Sequence, residues 1–135
     1  MIQKPALTQS DIEKIGAAAE AEAHQHGFKV SIAICDEGGH LLWFKRLDGA
    51  PPISAHIAPQ KARTAALGRR ESKLYEDIIN GGRTSFISAP ELEPMLEGGV
   101  PIMAEGHCIG AVGVSNVKSH EDAQVAKAGI AALGL

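Results

Sequence analysis

Aromatic side chains are scarce in this chain, making up only 4% of its residues. Proteins that bind single-stranded nucleic acid stack bases on such rings. The net charge of −3 also lacks the basic excess that attracts phosphate groups. No run approaches the roughly 18 consecutive apolar residues of a membrane span. The composition therefore predicts neither a nucleic acid nor a membrane as a partner.

Cysteine is nearly absent, with only Cys35 and Cys108 among 135 residues. Each lies in an apolar run, where a free thiol behaves as a small buried hydrophobic group. Two such residues do not indicate a disulfide framework. The first five residues, Met1 to Pro5, lack the apolar core of a signal peptide. We therefore expect a cytoplasmic location.

The order of apolar and turn residues predicts the fold class. A chain of 135 residues is expected to form a single domain over 1–135. Helical spacing of apolar residues predicts helices over 8–25, 54–68, 72–79 and 119–133. Capping residues support the first and the last of these: Thr8 at the start of the first helix, and a capping box of Ser119 and Asp122 at the start of the last. Two hairpins predict strands near 29–35, 40–47, 100–104 and 108–115. Without βαβ alternation, this pattern indicates an α+β domain whose helices pack on an antiparallel sheet.

The second hairpin carries glycine where a strand usually has bulky side chains. Gly99 lies at its start, and Gly110 and Gly113 lie in its second strand. Glycine in a strand indicates that a helix, another backbone or a ligand approaches closely. Two interpretations follow: the glycines form the floor of a binding pocket, or they allow a helix to pack tightly on the sheet.

Two basic residues are candidates for binding a carboxylate. Lys61 lies in an alanine-rich helix, one turn before Thr64, where it either holds a carboxylate or extends along the helix to water. Arg83 follows two glycines and precedes two hydroxyl residues, and arginine binds carboxylates through two parallel hydrogen bonds. No nucleophile elbow, P-loop or dinucleotide fingerprint is present, so no conventional nucleophilic enzyme is indicated.

Five motifs occur in order along nearly the whole chain: DEGGHL (36–41), RLDGA (46–50), KARTAA (61–66), EGGVPI (97–102) and IGAVGVS (109–115). They resemble the GlcG/HbpS family, also called the haem-degrading domain family. The resemblance implies a profilin- or PAS-like two-layer domain, binding of haem or another tetrapyrrole, haem breakdown in some members, and assembly into homo-oligomers. One departure is Asn116, where the family commonly has glycine; asparagine also adopts the left-handed conformation.

If haem is the ligand, its iron needs an axial donor such as histidine. No pair among the six histidines has the spacing of metal ligands on one helix face. His24 and His26 are expected at a helix end, where an imidazolium complements the helix dipole. His56, near the start of the alanine-rich helix, is the better candidate for the iron ligand. Lys61, Arg83 and the three strand glycines are the other predicted haem contacts.

The predicted function is therefore haem binding, with haem degradation as a further possible activity. One alternative is a catabolic enzyme acting on a small anionic substrate, held by Arg83 and Lys61 while a histidine or glutamate moves protons. Another is an accessory protein that stabilises an operon partner. The sequence leaves open whether the chain is an enzyme.

Overall fold

The computed structural model describes residues 1–135. In chain order the elements are α1 (Gln9–Gln25), β1 (Ser31–Asp36), β2 (Leu41–Arg46), α2 (Pro52–Gly68), α3 (Lys73–Asn80), a 3-10 helix (Thr84–Ser88), β3 (Gly99–Ala104), β4 (His107–Ser115) and α4 (Ser119–Ala131). All four predicted helices and all four predicted strands are present, with ends shifted by a few residues. No helix combines the length and apolar character that crossing a membrane requires.

The sheet has the order β2-β1-β4-β3, and every neighbouring pair is antiparallel. The predicted α+β class with an antiparallel sheet is thereby confirmed. Ile32 and Ile34 of β1 pack with α1 and α4 in the main core. Cys35, on the opposite face of β1, packs with the alanines of α2 in a second cluster. In addition to the helices expected on one face, α2 therefore covers the other face.

The helix starts follow local hydrogen bonding. Thr8 caps α1 as predicted, because its hydroxyl accepts from the Asp11 N–H at 3.2 Å and the Asp11 carboxylate accepts from the Thr8 N–H at 2.8 Å. At α4 the predicted capping box is wrong by one residue. Glu121, not Asp122, accepts from the backbone N–H of Lys118, at 3.2 Å. Asp122 is left free to point into the protein.

The helix α2 lies directly on the glycine-containing strands. A Cβ atom at Gly113 would overlap the carbonyl oxygen of Ala58 and the backbone nitrogen of Ala62, and one at Gly99 would overlap the carbonyl oxygen of Lys61. Ala58 and Ala62 are fully buried, so at these two positions the helix meets the sheet through methyl groups and backbone. Of the two interpretations of these glycines, tight packing of a helix is the one observed.

We predict that Gly113→Ala lowers the free energy of unfolding by about 1–3 kcal/mol, because α2 must move away from β4 to admit the methyl group. Urea denaturation measures the change. Gly134→Ala is the control, since no atom lies within 4 Å of a Cβ at that position, and it should alter the free energy by less than about 0.5 kcal/mol. Equal effects of the two substitutions would contradict the packing role.

Candidate functional site

Protein atoms surround all three glycines of the region predicted as a pocket, and two of them, Gly99 and Gly113, lie under α2. Gly99 and Gly113 meet the backbone of α2, and a Cβ at Gly110 would overlap the Cys35 carbonyl oxygen and lie 2.7 Å from Leu7 Cδ1. None of the three therefore opens onto space for a ligand. Their predicted contact with haem stays a prediction.

Lys61 is buried rather than exposed, with 4% of its surface accessible. Its Nζ donates to Asp122 Oδ2 at 3.0 Å and to the carbonyl oxygen of Val114 at 3.1 Å. The expectation that Lys61 extends to water is therefore wrong, because a carboxylate from α4 lies within its reach inside the protein. In this chain the ammonium holds the Asp122 carboxylate, and the predicted contact of Lys61 with a ligand carboxylate stays a prediction.

Asp122 completes this buried ion pair. Its Oδ1 accepts from the backbone N–H of Val117 at 3.1 Å, and 2% of the residue is exposed. Burial raises the pKa of this carboxyl above its ordinary value of 3.8, although the positive charge of Lys61 acts in the opposite direction. Gly98, with φ of 130°, makes room for the pair, since a Cβ there would lie 2.8 Å from Lys61 Nζ. The pair joins α2, the end of β4 and α4.

His56 lies exposed on the outer face of α2, with no hydrogen bond or ion pair to the protein. Ile53, three residues earlier on the same helix, is 57% exposed. Positions three residues apart are neighbours on a helix surface. The imidazole of His56 is therefore free to bind a ligand, and it lies next to the exposed apolar side chain of Ile53.

Three other histidines have carboxylate partners on the surface. His24 lies 3.3 Å from Glu20, His26 lies 3.4 Å from Glu22, and His40 lies 3.0 Å from Asp36. In each case the histidine and carboxylate are four residues apart. No group of three or more histidine, cysteine, aspartate or glutamate residues is arranged to hold a metal ion.

Arg83 is exposed between α3 and the 3-10 helix. Its guanidinium carbon lies 5.2 Å from the centroid of the Phe86 ring, within the range of a cation–π contact. The guanidinium of Arg83 makes no hydrogen bond or ion pair with another residue, and none joins it to His56 or Lys61. The structure therefore does not bring these three predicted site residues together within one chain.

A cavity of about 430 Å³ lies between α3, the 3-10 helix and the segment before β3. We call it the apolar groove; its walls are Ile79, Ile87, Pro94, Met95 and Leu96, and Glu76, Asn80 and Glu93 complete the lining. Sequence reasoning missed this groove, because its walls come from three segments with no shared motif. A second cavity, of about 340 Å³ at the end of α1, is mostly polar and includes His24, Lys29 and Arg46.

We predict that Lys61→Met lowers the free energy of unfolding at pH 7 by about 3–5 kcal/mol, because it leaves the Asp122 carboxylate buried without a partner. Without Lys61 the pKa of Asp122 rises further. A carboxyl with a raised pKa in the folded state favours folding when protonated, and this contribution is lost as pH rises through that pKa. The variant should therefore recover stability as pH falls towards 4, as urea denaturation across pH will show.

Two controls separate this effect from loss of the lysine stem. Lys61→Met combined with Asp122→Leu should recover most of the stability at pH 7, because no charge remains buried. Lys73→Met removes one partner of the exposed Lys73–Asp77 pair and should change stability little. If Lys61→Met is as destabilising at acidic pH as at neutral pH, the buried carboxylate is not the cause.

This chain is similar to known proteins both in sequence and in fold. The family described as "Haem degrading protein HbpS-like" matches residues 7–131. Protein GlcG of Escherichia coli K12 is 53% identical over 115 residues, which cover 85% of this chain and 85% of GlcG. The crystal structure of HbpS superimposes with a TM-score of 0.88 at 32% identity, covering all of this chain and 95% of that one.

The crystal structure of a PduOC:heme complex has a TM-score of 0.85 with this chain at 27% identity. The match covers 95% of each chain. The sequence matches and the structural matches thus indicate the same family, which is also the family that the five motifs resemble. This chain belongs to the HbpS-like family of haem-degrading proteins.

Proposed function

We propose that this chain binds haem. The observation that carries the proposal is its match to PduOC, a protein of the same fold whose structure contains heme, over 95% of each chain at 27% identity. The family description, which names haem degradation, points to the same ligand. Degradation of haem by this chain stays a prediction.

The residues on the outer face of α2 fit one part of a haem site. A haem iron takes an axial nitrogen from histidine, and the macrocycle needs apolar surface beside it. His56 is exposed and has no partner in the protein, and the exposed Ile53 lies next to it on the helix. His24, His26 and His40 each contact a carboxylate through one ring nitrogen, whereas both ring nitrogens of His56 are free.

This face is open, because none of the larger cavities is lined by His56. A flat macrocycle on the helix surface would leave one of its two faces in water. We therefore propose that the chain self-associates and that a second copy covers the haem. Self-association was also expected from the family resemblance.

The alternative of an enzyme acting on a small anionic substrate gains no support from the geometry. It required Lys61 and Arg83 to hold one carboxylate. Lys61 is bound to Asp122 inside the protein, whereas Arg83 is exposed beside Phe86. No observation favours an accessory role for an operon partner either.

We predict that hemin saturates one site per chain, with a Soret band shifted from that of free hemin. His56→Ala should change the position of this band, because the iron loses its axial nitrogen. Absorption titration of the purified protein measures both. His24→Ala and His120→Ala are the matched controls and should leave the band unchanged.

The possible results test two claims separately: that the chain binds haem, and that His56 is the axial ligand. Saturable binding with an unchanged band in His56→Ala would reject His56 as the axial ligand while supporting haem binding. Failure of hemin to saturate any site would overturn the proposed function. Incubation of the complex with ascorbate in air, followed by the loss of the Soret band, tests the predicted degradation.

Arg83→Ala tests the predicted contact between this arginine and a haem propionate. A charge-assisted hydrogen bond contributes about 1.5–3 kcal/mol, so hemin affinity should fall by about tenfold or more. Arg70→Ala is a suitable control, because Arg70 also lies exposed over an aromatic ring, that of Tyr75. Equal affinities for the Arg83 variant and the unaltered protein would exclude the contact.

A further inference from the structure

We propose that the edge strand β2 of one copy docks into the apolar groove of the next copy, so that the chain assembles head to tail. This inference names the surfaces of the self-association proposed above and rests on it. It does not depend on haem binding. The proposal rests on two apolar surfaces at opposite edges of the sheet of one chain. One surface has a free positive charge beside it and the other has a free negative charge.

The first surface is β2. This strand pairs only with β1, so the backbone groups along its outer side have no partner in the sheet. Leu41, Leu42 and Phe44 are 57%, 43% and 37% exposed. An exposed apolar edge strand is a ready site for association with another chain, and β2 contains no proline. Its Lys45, a charge of the kind that protects an edge strand, is bound to Glu20 of α1.

The second surface is the apolar groove. Ile87 and Leu96 in its walls are 58% and 43% exposed, although both are large aliphatic side chains. Contiguous exposed apolar surface bordered by polar residues is typical of interaction sites. The exposed side chains of β2 and the walls of the groove are both apolar, so packing them together would remove both from water.

The charges at the two surfaces are complementary. Glu93 lines the groove and makes no ion pair or hydrogen bond through its carboxylate. Arg46, at the end of β2, uses only its Nε, which donates to the Ala50 carbonyl oxygen at 2.8 Å. Its terminal amino groups are free for a carboxylate. Lys45 is already bound to Glu20 at 2.7 Å, so Arg46 is the cation available to Glu93.

The positions of the surfaces exclude a contact within one chain and define the symmetry. β2 and β3 are the two edges of the sheet. The groove borders the β3 edge, because Leu96 leads into β3 and Ser72, just before α3, accepts from the Gly99 N–H at 2.8 Å. Two different surfaces at opposite edges form a heterologous interface, which closes into a ring or continues as a filament.

Charge reversal tests the pairing of the surfaces. Arg46→Glu and Glu93→Lys each place like charges at the interface, and each should weaken self-association at least about tenfold. The double variant Arg46→Glu/Glu93→Lys should restore it. A mixture of the two single variants should also assemble, because each supplies the charge that the other needs. Analytical ultracentrifugation at several concentrations measures the association.

Control variants address folding and general charge effects. Glu13→Lys makes the same charge change on the exposed side of α1 and should not affect assembly. Leu41→Lys removes an apolar contact from β2 without involving the Arg46–Ala50 hydrogen bond and should also produce monomers. Leu135→Lys, at another exposed leucine, should not. Circular dichroism melts confirm that each variant is folded.

The remaining outcomes contradict the proposal in different ways. A monomeric unaltered protein at micromolar concentration would overturn both the self-association and these surfaces, while leaving haem binding to the hemin titration. An oligomer that withstands Glu93→Lys but dissociates in Leu41→Lys would show that two β2 strands pair with each other instead. An oligomer that withstands all three single variants would place the interface elsewhere.

Discussion

The close contact between α2 and the central strands is the constraint on which the rest of the structure depends. Gly113 and Gly99 have hydrogen where other residues have a side chain, so the helix backbone lies against the strand backbone. Dispersion forces act between many atoms at this distance and favour a close-packed interior. As a result, no space for a ligand remains between α2 and the strands at these glycines. Binding of a large ligand must therefore use the outer surface of α2 or another part of the molecule.

The Lys61–Asp122 ion pair is a second contact of α2 with the rest of the protein, made by charged groups. Lys61 lies in the middle of an alanine-rich helix, and its buried ammonium is held by a carboxylate from α4 and by the Val114 carbonyl oxygen. Burying both charges is costly, and the raised pKa of Asp122 records that cost. Moving α4 away from α2 would leave each charge buried without its partner, so the pair links the positions of the two helices.

The exposed groups, in contrast, have few partners within one chain. His56, Arg83, Arg46 and Glu93 have side-chain groups that no other residue satisfies, and β2 presents apolar side chains to water. A family with a haem-containing member makes the outer face of α2 a reasonable place for the ligand. The charges and apolar surfaces at the sheet edges are those on which the proposed association of copies rests. Both proposals for this chain therefore use surface groups rather than an enclosed site.

The sequence by itself determined the helices, the strands and the antiparallel sheet, because periodicity, capping and turn residues act over a few positions. The family was indicated separately, by the resemblance of five motifs that occur in order along the chain. That resemblance also indicated that Asn116 replaces a glycine, and the structure places this residue at φ of 120°. Only the tertiary structure decided that Asp122 pairs with Lys61, 61 residues away, and that α2 covers the glycines. A lysine on a helix and an aspartate near a helix start each have an ordinary local explanation, and no local pattern shows that folding will bury them against each other.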